Sequence, residues 1–185
     1  MFMTDNIIVN KMTKKEFFKA VSNCDEDVIQ IFLDALSTAN VDYCVIGGLA
    51  VNAYAEPVVS LDLDIVVAIN DIGTACKAVE VHFKIERFAH SINLSSNKSD
   101  LRIQLQIDQR YQNFIVRAVI HSVLGYEMKV AIVEDVIQGK IWAYSDKQRR
   151  KSKRQKDLAD IIRLVETYPH LADQLPDSIR KIVEE

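Results

Sequence analysis

At residue 43 the hydrophobic period of the chain changes from that of a helix to that of a strand. Tyr43-Cys44-Val45-Ile46 is short and apolar, and it runs directly into Gly47-Gly48, a pattern that reads strand, tight turn, helix. The helix is Leu49 to Ala55, with Pro57 beyond its end, and VVSLDLDIVVAI over 58–69 reads as the next strand. Thirteen residues separate the glycine pair from Asp62-Leu63-Asp64. Side chains alternate faces along a strand, so the two carboxylates share one face with Cα atoms about 6.6–6.8 Å apart. Ile65-Val66-Val67 is apolar on both faces, so the strand enters a core. Two carboxylates held in parallel at the mouth of a buried strand repel each other unless a cation lies between them. Mg²⁺ takes one or two carboxylates plus substrate phosphates, and a glycine pair at a strand-to-helix turn lets backbone N–H groups approach an anion closely. Alone, Asp-x-Asp also fits an exposed edge strand, and Gly-Gly an ordinary tight turn. In sequence they predict a metal-phosphate site.

The rest of the chain fits an α+β body, strands mostly in the middle and helices at both ends. Thr13 and Glu16 form a capping-box pattern for a short helix, and Val28, Ile29, Phe32, Leu33 and Leu36 recur at helical spacing. Asp71 is placed to cap a helix through Ala75 and Val79, and Ile85 to Leu94 suggests further strand. Leu101 to Asp108 alternates apolar and polar with period two. Two short strands flank Leu124-Gly125-Tyr126, and everything after Glu134 reads as helix. A length of 185 residues suits one domain, with a core over about 26–132 and a helical part over about 133–185.

Composition removes several alternatives. The 49% hydrophobic and 26% charged residues are those of a soluble globular protein. No apolar run is long enough to cross a bilayer, and the first residues do not read as an export signal, so the expected location is the cytoplasm, away from membranes. Cys24, Cys44 and Cys76 fit neither a disulfide framework nor a zinc ribbon and read as buried free thiols. The net charge is −3, yet residues 147–156, KQRRKSKRQK, contribute +7, so the remainder carries −10. That run suits the phosphates of an RNA or an acidic partner, and equally a solvated helix start.

Three segments, VIGGLAVNAYAEPVVSLDLDIVV, VEDVIQGKIWA and RQKDLADIIRL, together resemble the minimal nucleotidyltransferases of the polymerase-β-like superfamily, particularly the AbiEii-type proteins of toxin–antitoxin systems. The resemblance covers about residues 40–168. It implies a nucleotidyltransferase fold of a mixed sheet with flanking helices and a helical C-terminal extension. It also implies transfer of a nucleoside monophosphate from an NTP to RNA, such as a tRNA end, or to a protein, with Mg²⁺ or Mn²⁺ as cofactor and an antitoxin as partner. Carried onto this chain, Asp62 and Asp64 would bind metal and Gly47 and Gly48 would hold the triphosphate. Lys140 and Lys156 would neutralise phosphate charge, and Asp157 or Asp160 would support the nucleotide or the lysines.

Two departures stand out. Gln104 occupies the place where the family pattern has a third carboxylate, and it carries no charge and no basic atom. Asp108, four residues on, keeps the Gln104 face if the strand is unbroken and could substitute as a catalytic acid. Upstream, Pro57 is followed by Val58, Val59 and Ser60 where the pattern often has an arginine. On the residues alone, Lys140 also fits an ordinary solvated helix lysine. Asp157 fits a surface pair with Arg154 one helical turn away, and loss of the third acid would leave a binding module without chemistry.

Overall fold

The computed structural model describes residues 13–23 and 26–184. Cys24 therefore lies outside the described residues, while Cys44 and Cys76 are free and buried. Helix α1 (Lys14–Val21) starts at a complete capping box of Thr13 and Glu16, which satisfies two orphan N-terminal donors reciprocally. Helix α2 (Val28–Thr38) buries Val28, Ile29, Phe32, Leu33 and Leu36 along one face, the stripe its spacing predicts. Strands β1 (Tyr43–Ile46) and β2 (Asp62–Val67) form an antiparallel pair, joined through the short helix α3 (Gly47–Val51). Helix α4 (Ile72–Val79) is followed by β3 (Lys84–Arg87), β4 (Ser91–Ser96) and β5 (Ser99–Gln106). Helix α5 (Gln112–Arg117) and the hairpin β6 (Val119–Val123) and β7 (Tyr126–Val130) lead into α6 (Val133–Ser145), α7 (Lys151–Thr167) and α8 (Asp177–Glu184).

The strands make one mixed sheet in the order β3-β4-β5-β2-β1-β7-β6. β2 runs parallel to β5 and β1 parallel to β7; the other neighbours are antiparallel. Alternation along β2 and β5 gives the centre of the sheet two unlike faces. Leu63, Ile65, Leu101, Ile103 and Leu105 are buried and belong to one core with Phe32, Leu36, Val45 and Val79. The opposite face carries Asp62, Asp64, Arg102, Gln104 and Gln106 at the paired positions of the two strands. Helices α3, α6 and α7 pack together beside that polar face, so the sheet centre presents its charges to a helix-lined cleft.

The strand expected over 58–69 is shorter at both ends. Asn52 donates from Nδ2 to the Val58 carbonyl at 2.7 Å and accepts from the Val58 N–H at 3.0 Å. Both backbone groups that a ladder would need at Val58 are thereby occupied, and Val58 and Val59 stay exposed. At the far end, Ile69–Asp71 forms a 3-10 turn, and Asp71 makes no side-chain cap on α4. The helix expected over 49–55 starts earlier, at Gly47, and ends at Val51. None of the helices among the described residues is long and apolar enough to cross a membrane.

Candidate active site

Gly47 is the point where backbone and carboxylate meet. Its φ is +71°, and a Cβ added there would overlap the Asp64 carboxylate. Only glycine permits both the left-handed backbone and the close approach. Gly48 is less constrained, since a Cβ there would rest 3.7 Å from Ser60 Oγ. The glycine pair thus packs against both ends of the segment that carries the aspartates.

Asp62 and Asp64 lie on the same face of β2, opposite Arg102 and Gln104 of β5 in the parallel register. Each Asp62 oxygen faces a cation: Oδ1 is 2.7 Å from Arg102 Nη2 and Oδ2 is 3.4 Å from Lys153 Nζ. Asp64 lies deeper in the cleft. Burial pushes its carboxyl above the usual range and the Asp62 charge adds to this, while Lys140, Arg149 and Lys153 oppose it. A desolvated carboxylate beside a second one is electrostatically short of positive charge. Among the described residues no three His, Cys, Asp or Glu side chains converge as a metal site. The donor set is two hard carboxylates with the Gln104 amide beside them, which fits an ion that completes its shell with substrate phosphates.

The opposite wall of the cleft is a buried charge network between α6 and α7. Lys140 and Asp157 are 8% and 3% exposed, burial that charged residues show only when paired. Lys140 Nζ is 3.2 Å from Asp157 Oδ1 and 2.6 Å from Asp160 Oδ2. Arg149 Nε donates to Asp157 Oδ2 at 2.7 Å. Asp160 also accepts from Arg163 at 2.7 Å, and Arg163 in turn donates to Asn52 Oδ1 at 3.0 Å and to the Glu56 carbonyl. The chain of contacts therefore runs from the α7 carboxylates to the loop that bears Val58, Val59 and Ser60.

The basic run divides between the cleft and solvent. Arg149, Lys153 and Lys156 line the cleft with Gly48, Ser60, Asp62 and Asp64. Arg154 turns away, donating to the Tyr144 carbonyl at 2.6 Å with its guanidinium 5.1 Å from the Tyr144 ring centroid. Lys147, Arg150 and Lys151 remain exposed. Beyond Asp64 the cleft continues into a second hollow lined by Gln104, Gln106, Tyr111, Phe114 and Gly139.

Of the residues singled out from the sequence, Gly47, Gly48, Asp62, Asp64, Gln104, Lys140, Lys156, Asp157 and Asp160 all line these adjoining hollows. Asp157 does not pair with Arg154, because Lys140 and Arg149 hold it. Lys140 is a buried partner in that network, which its reading as a solvated lysine does not fit. Asp108 is not brought to the aspartate pair. β5 ends at Gln106, and Asp108 caps the 3-10 turn that follows. Its Oδ2 accepts from Arg110 Nε at 3.0 Å and Nη2 at 2.7 Å, hydrogen bonds that hold the carboxyl below its usual range against a smaller effect of burial. The strand it needed to stay on the Gln104 face is broken. Lys153 and Lys156, three residues apart, share one face of α7, while Arg149 reaches the cleft from the turn that precedes that helix. Arg102 opens the Arg102-Ile103-Gln104-Leu105 stretch that stands where the family pattern has its third acid, but its contact to Asp62 needs the β2–β5 pairing, and the contact of Arg163 to Asn52 spans 111 residues.

No protein-family model matches the chain, and no curated protein matches it in sequence. Solved structures do. The chain is similar to the antibiotic-resistance factor ANT(2'')-Ia in complex with adenylyl-2''-tobramycin, at 15% identity over 85% of this chain and 95% of that one, with a TM-score of 0.58. It is similar to the lincosamide antibiotic adenylyltransferase LnuA, at 13% identity over 75% and 97%, TM-score 0.52. An antigenic nucleotidyltransferase-like protein from Paracoccidioides brasiliensis aligns at 20% identity over 89% and 92%, TM-score 0.51. At these identities the likeness is one of architecture: a mixed sheet with flanking helices, which is the nucleotidyltransferase fold.

Proposed function

We propose that the chain is a Mg²⁺- or Mn²⁺-dependent nucleotidyltransferase that moves a nucleoside monophosphate from an NTP to an acceptor hydroxyl. The observation that carries this reading is the meeting of Asp62 and Asp64 with Gly47, Gly48 and the basic α7 face around one cleft. Asp62 and Asp64 would hold the ion, which when bound supplies Lewis-acid neutralisation of the phosphate oxygens. Gly48 and Ser60 offer close backbone and hydroxyl contact to phosphate. Lys153 and Lys156 add positive charge, and Asp157 fixes Lys140 and Arg149 toward Asp64. The acceptor oxygen attacks the α-phosphorus, the bond from that phosphorus to the bridging β-oxygen breaks, and pyrophosphate leaves in line. Gln104 has no basic atom, so the hydroxyl proton passes to water.

The acceptor proposed is RNA, such as a tRNA end, with a protein hydroxyl as the alternative. Lys147, Arg150 and Lys151 continue the basic surface away from the cleft, which suits a polyanion. The motif resemblance extends the proposal to a toxin held in check by an antitoxin. ANT(2'')-Ia with its adenylyl-tobramycin makes the adenylyl group the first donor to try.

The test is incubation of the protein with each α-labelled NTP, Mg²⁺ and total RNA or lysate. Label should move to an RNA or protein band, and Asp62→Asn should abolish it. A second reading, nucleotide binding without turnover, rests on Gln104 facing Asp64 where an acid is expected. NTP binding with no transfer to any fraction would favour it.

A further inference from the structure

Asp62 is the more accessible of the two proposed metal ligands, and both of its oxygens face cations of the protein itself. Arg102 reaches Oδ1 at 2.7 Å from the neighbouring strand, and Lys153 stands 3.4 Å from Oδ2 on the first turns of α7. The Arg102 contact is built into the sheet. Asp62 and Arg102 are register partners in the parallel β2–β5 ladder, and the Leu61 carbonyl accepts from the Arg102 N–H at 2.9 Å. The arginine therefore starts directly beside the carboxylate. Its side chain is 69% exposed against 31% for Asp62, so the guanidinium is free to leave once a better cation or a phosphate arrives.

Resting on the proposed metal site, we infer that Arg102 is an intrinsic counter-cation of Asp62 that competes with the divalent ion. A bare metal ion must displace the guanidinium and gains only the aspartate pair. A metal-bound triphosphate brings phosphate oxygens that take over the released Arg102 and Lys153. The protein thus loads its metal together with the nucleotide, and the two ligands favour each other by the same factor in either order. Arg102 acts through Asp62 and is a positioning residue.

The measurement is direct Mn²⁺ binding followed by electron paramagnetic resonance, with the full chain, no nucleotide and no acceptor. Arg102→Gln should bind Mn²⁺ about two- to five-fold more tightly than the wild type, the range expected for loss of an exposed ion pair. Arg102→Lys should lie between them. Lys153→Gln, at the longer contact, should shift affinity the same way by less. Lys156→Gln removes the same charge from the same cleft without a bond to Asp62 and should change little. If Lys156→Gln matches Arg102→Gln, the effect is bulk charge and the inference falls. It also falls if Arg102→Gln binds Mn²⁺ as the wild type does, or more weakly. Asp62→Asn reports on the site itself: binding equal to wild type there would overturn the metal site and this inference together. Loss of binding in Asp62→Asn with no change in Arg102→Gln would overturn this inference alone.

Discussion

Gln104 stands directly across the parallel β2–β5 ladder from Asp64, each the other's register partner. An amide therefore faces the carboxylate whose pKa burial raises. The pairing avoids a third negative charge beside Asp62 and Asp64, and in the proposed transfer it would leave the acceptor proton without a base. Gln104→Asp should raise nucleotidyl transfer, by up to the roughly 10²- to 10⁴-fold that a positioned general base contributes. The like charge it adds should make turnover depend more steeply on Mg²⁺. Gln104→Asn, with no basic atom either, should give no gain. Initial rates with a labelled NTP and the best acceptor fraction decide the matter; an aspartate variant no faster than the wild type would remove Gln104 as the limiting feature.

The two glycines should respond differently to the same methyl group. At Gly47 an added Cβ meets the Asp64 carboxylate and a φ of +71°, so Gly47→Ala should lose about 1–3 kcal/mol of stability and displace Asp64. At Gly48 the nearest atom would be Ser60 Oγ at 3.7 Å, ordinary contact, so Gly48→Ala should melt within a degree or two of the wild type. Thermal melts of both variants check this. Equal melting temperatures would show that the backbone does not cross the carboxylate closely at Gly47.

These contrasts mark what was legible in the sequence. Gly47-Gly48 and Asp62-x-Asp64 are short-range patterns whose geometry follows from one turn and one strand, and both line the cleft. Lys140, Asp157 and Asp160 were legible as helix residues, but the pairing of Lys140 with both carboxylates depends on how α6 crosses α7. Asp108 failed because a local rule, alternation along β5, was extended past the strand's end, where Arg110 offered a charge-assisted cap instead. The Asn52 clasp on Val58 shortened β2 by a side chain competing for backbone groups, which period alone does not reveal. The contacts of Arg102 to Asp62 and of Arg163 to Asn52 were silent because they join residues 40 and 111 apart in sequence.

Asp157 holds two cations at 3% exposure, and breaking one side of such a cluster leaves buried charge uncompensated. Lys140 keeps Asp160 at 2.6 Å and Arg149 can turn to water, so the loss is smaller than for an isolated buried pair. Asp157→Asn should cost about 2–3 kcal/mol, or roughly 5–10 °C in Tm for a chain of this size. Lys140→Met should cost less in the Asp157→Asn background than it does alone, because the carboxylate it would have stranded is already neutral. A double-mutant cycle by urea unfolding measures the coupling; strictly additive losses would show that the two side chains act independently.

Asp64 sets the cleft's stability against its chemistry. Burial raises its carboxyl above the ordinary value of 3.8, with Asp62 adding to the shift. A folded-state value above the unfolded one means the folded protein holds this proton more tightly. Its contribution is therefore fully present below the unfolded value and is lost as pH rises through the folded one. Asp64→Asn removes the charge while keeping the shape. It should be neutral for stability in acid and increasingly stabilising as pH rises, levelling off once Asp64 is ionised in the wild type. Transfer activity should vanish at every pH. Mg²⁺ with a non-hydrolysable NTP should narrow the gap by stabilising only the wild type, because a ligand bound to the folded state alone raises its stability. Urea melts of both proteins between about pH 4 and 8, with and without that mixture, test the sign. A variant that becomes less stable than the wild type as pH rises would show that the Asp64 carboxylate is already well compensated by Lys140 and Arg149 before any metal arrives.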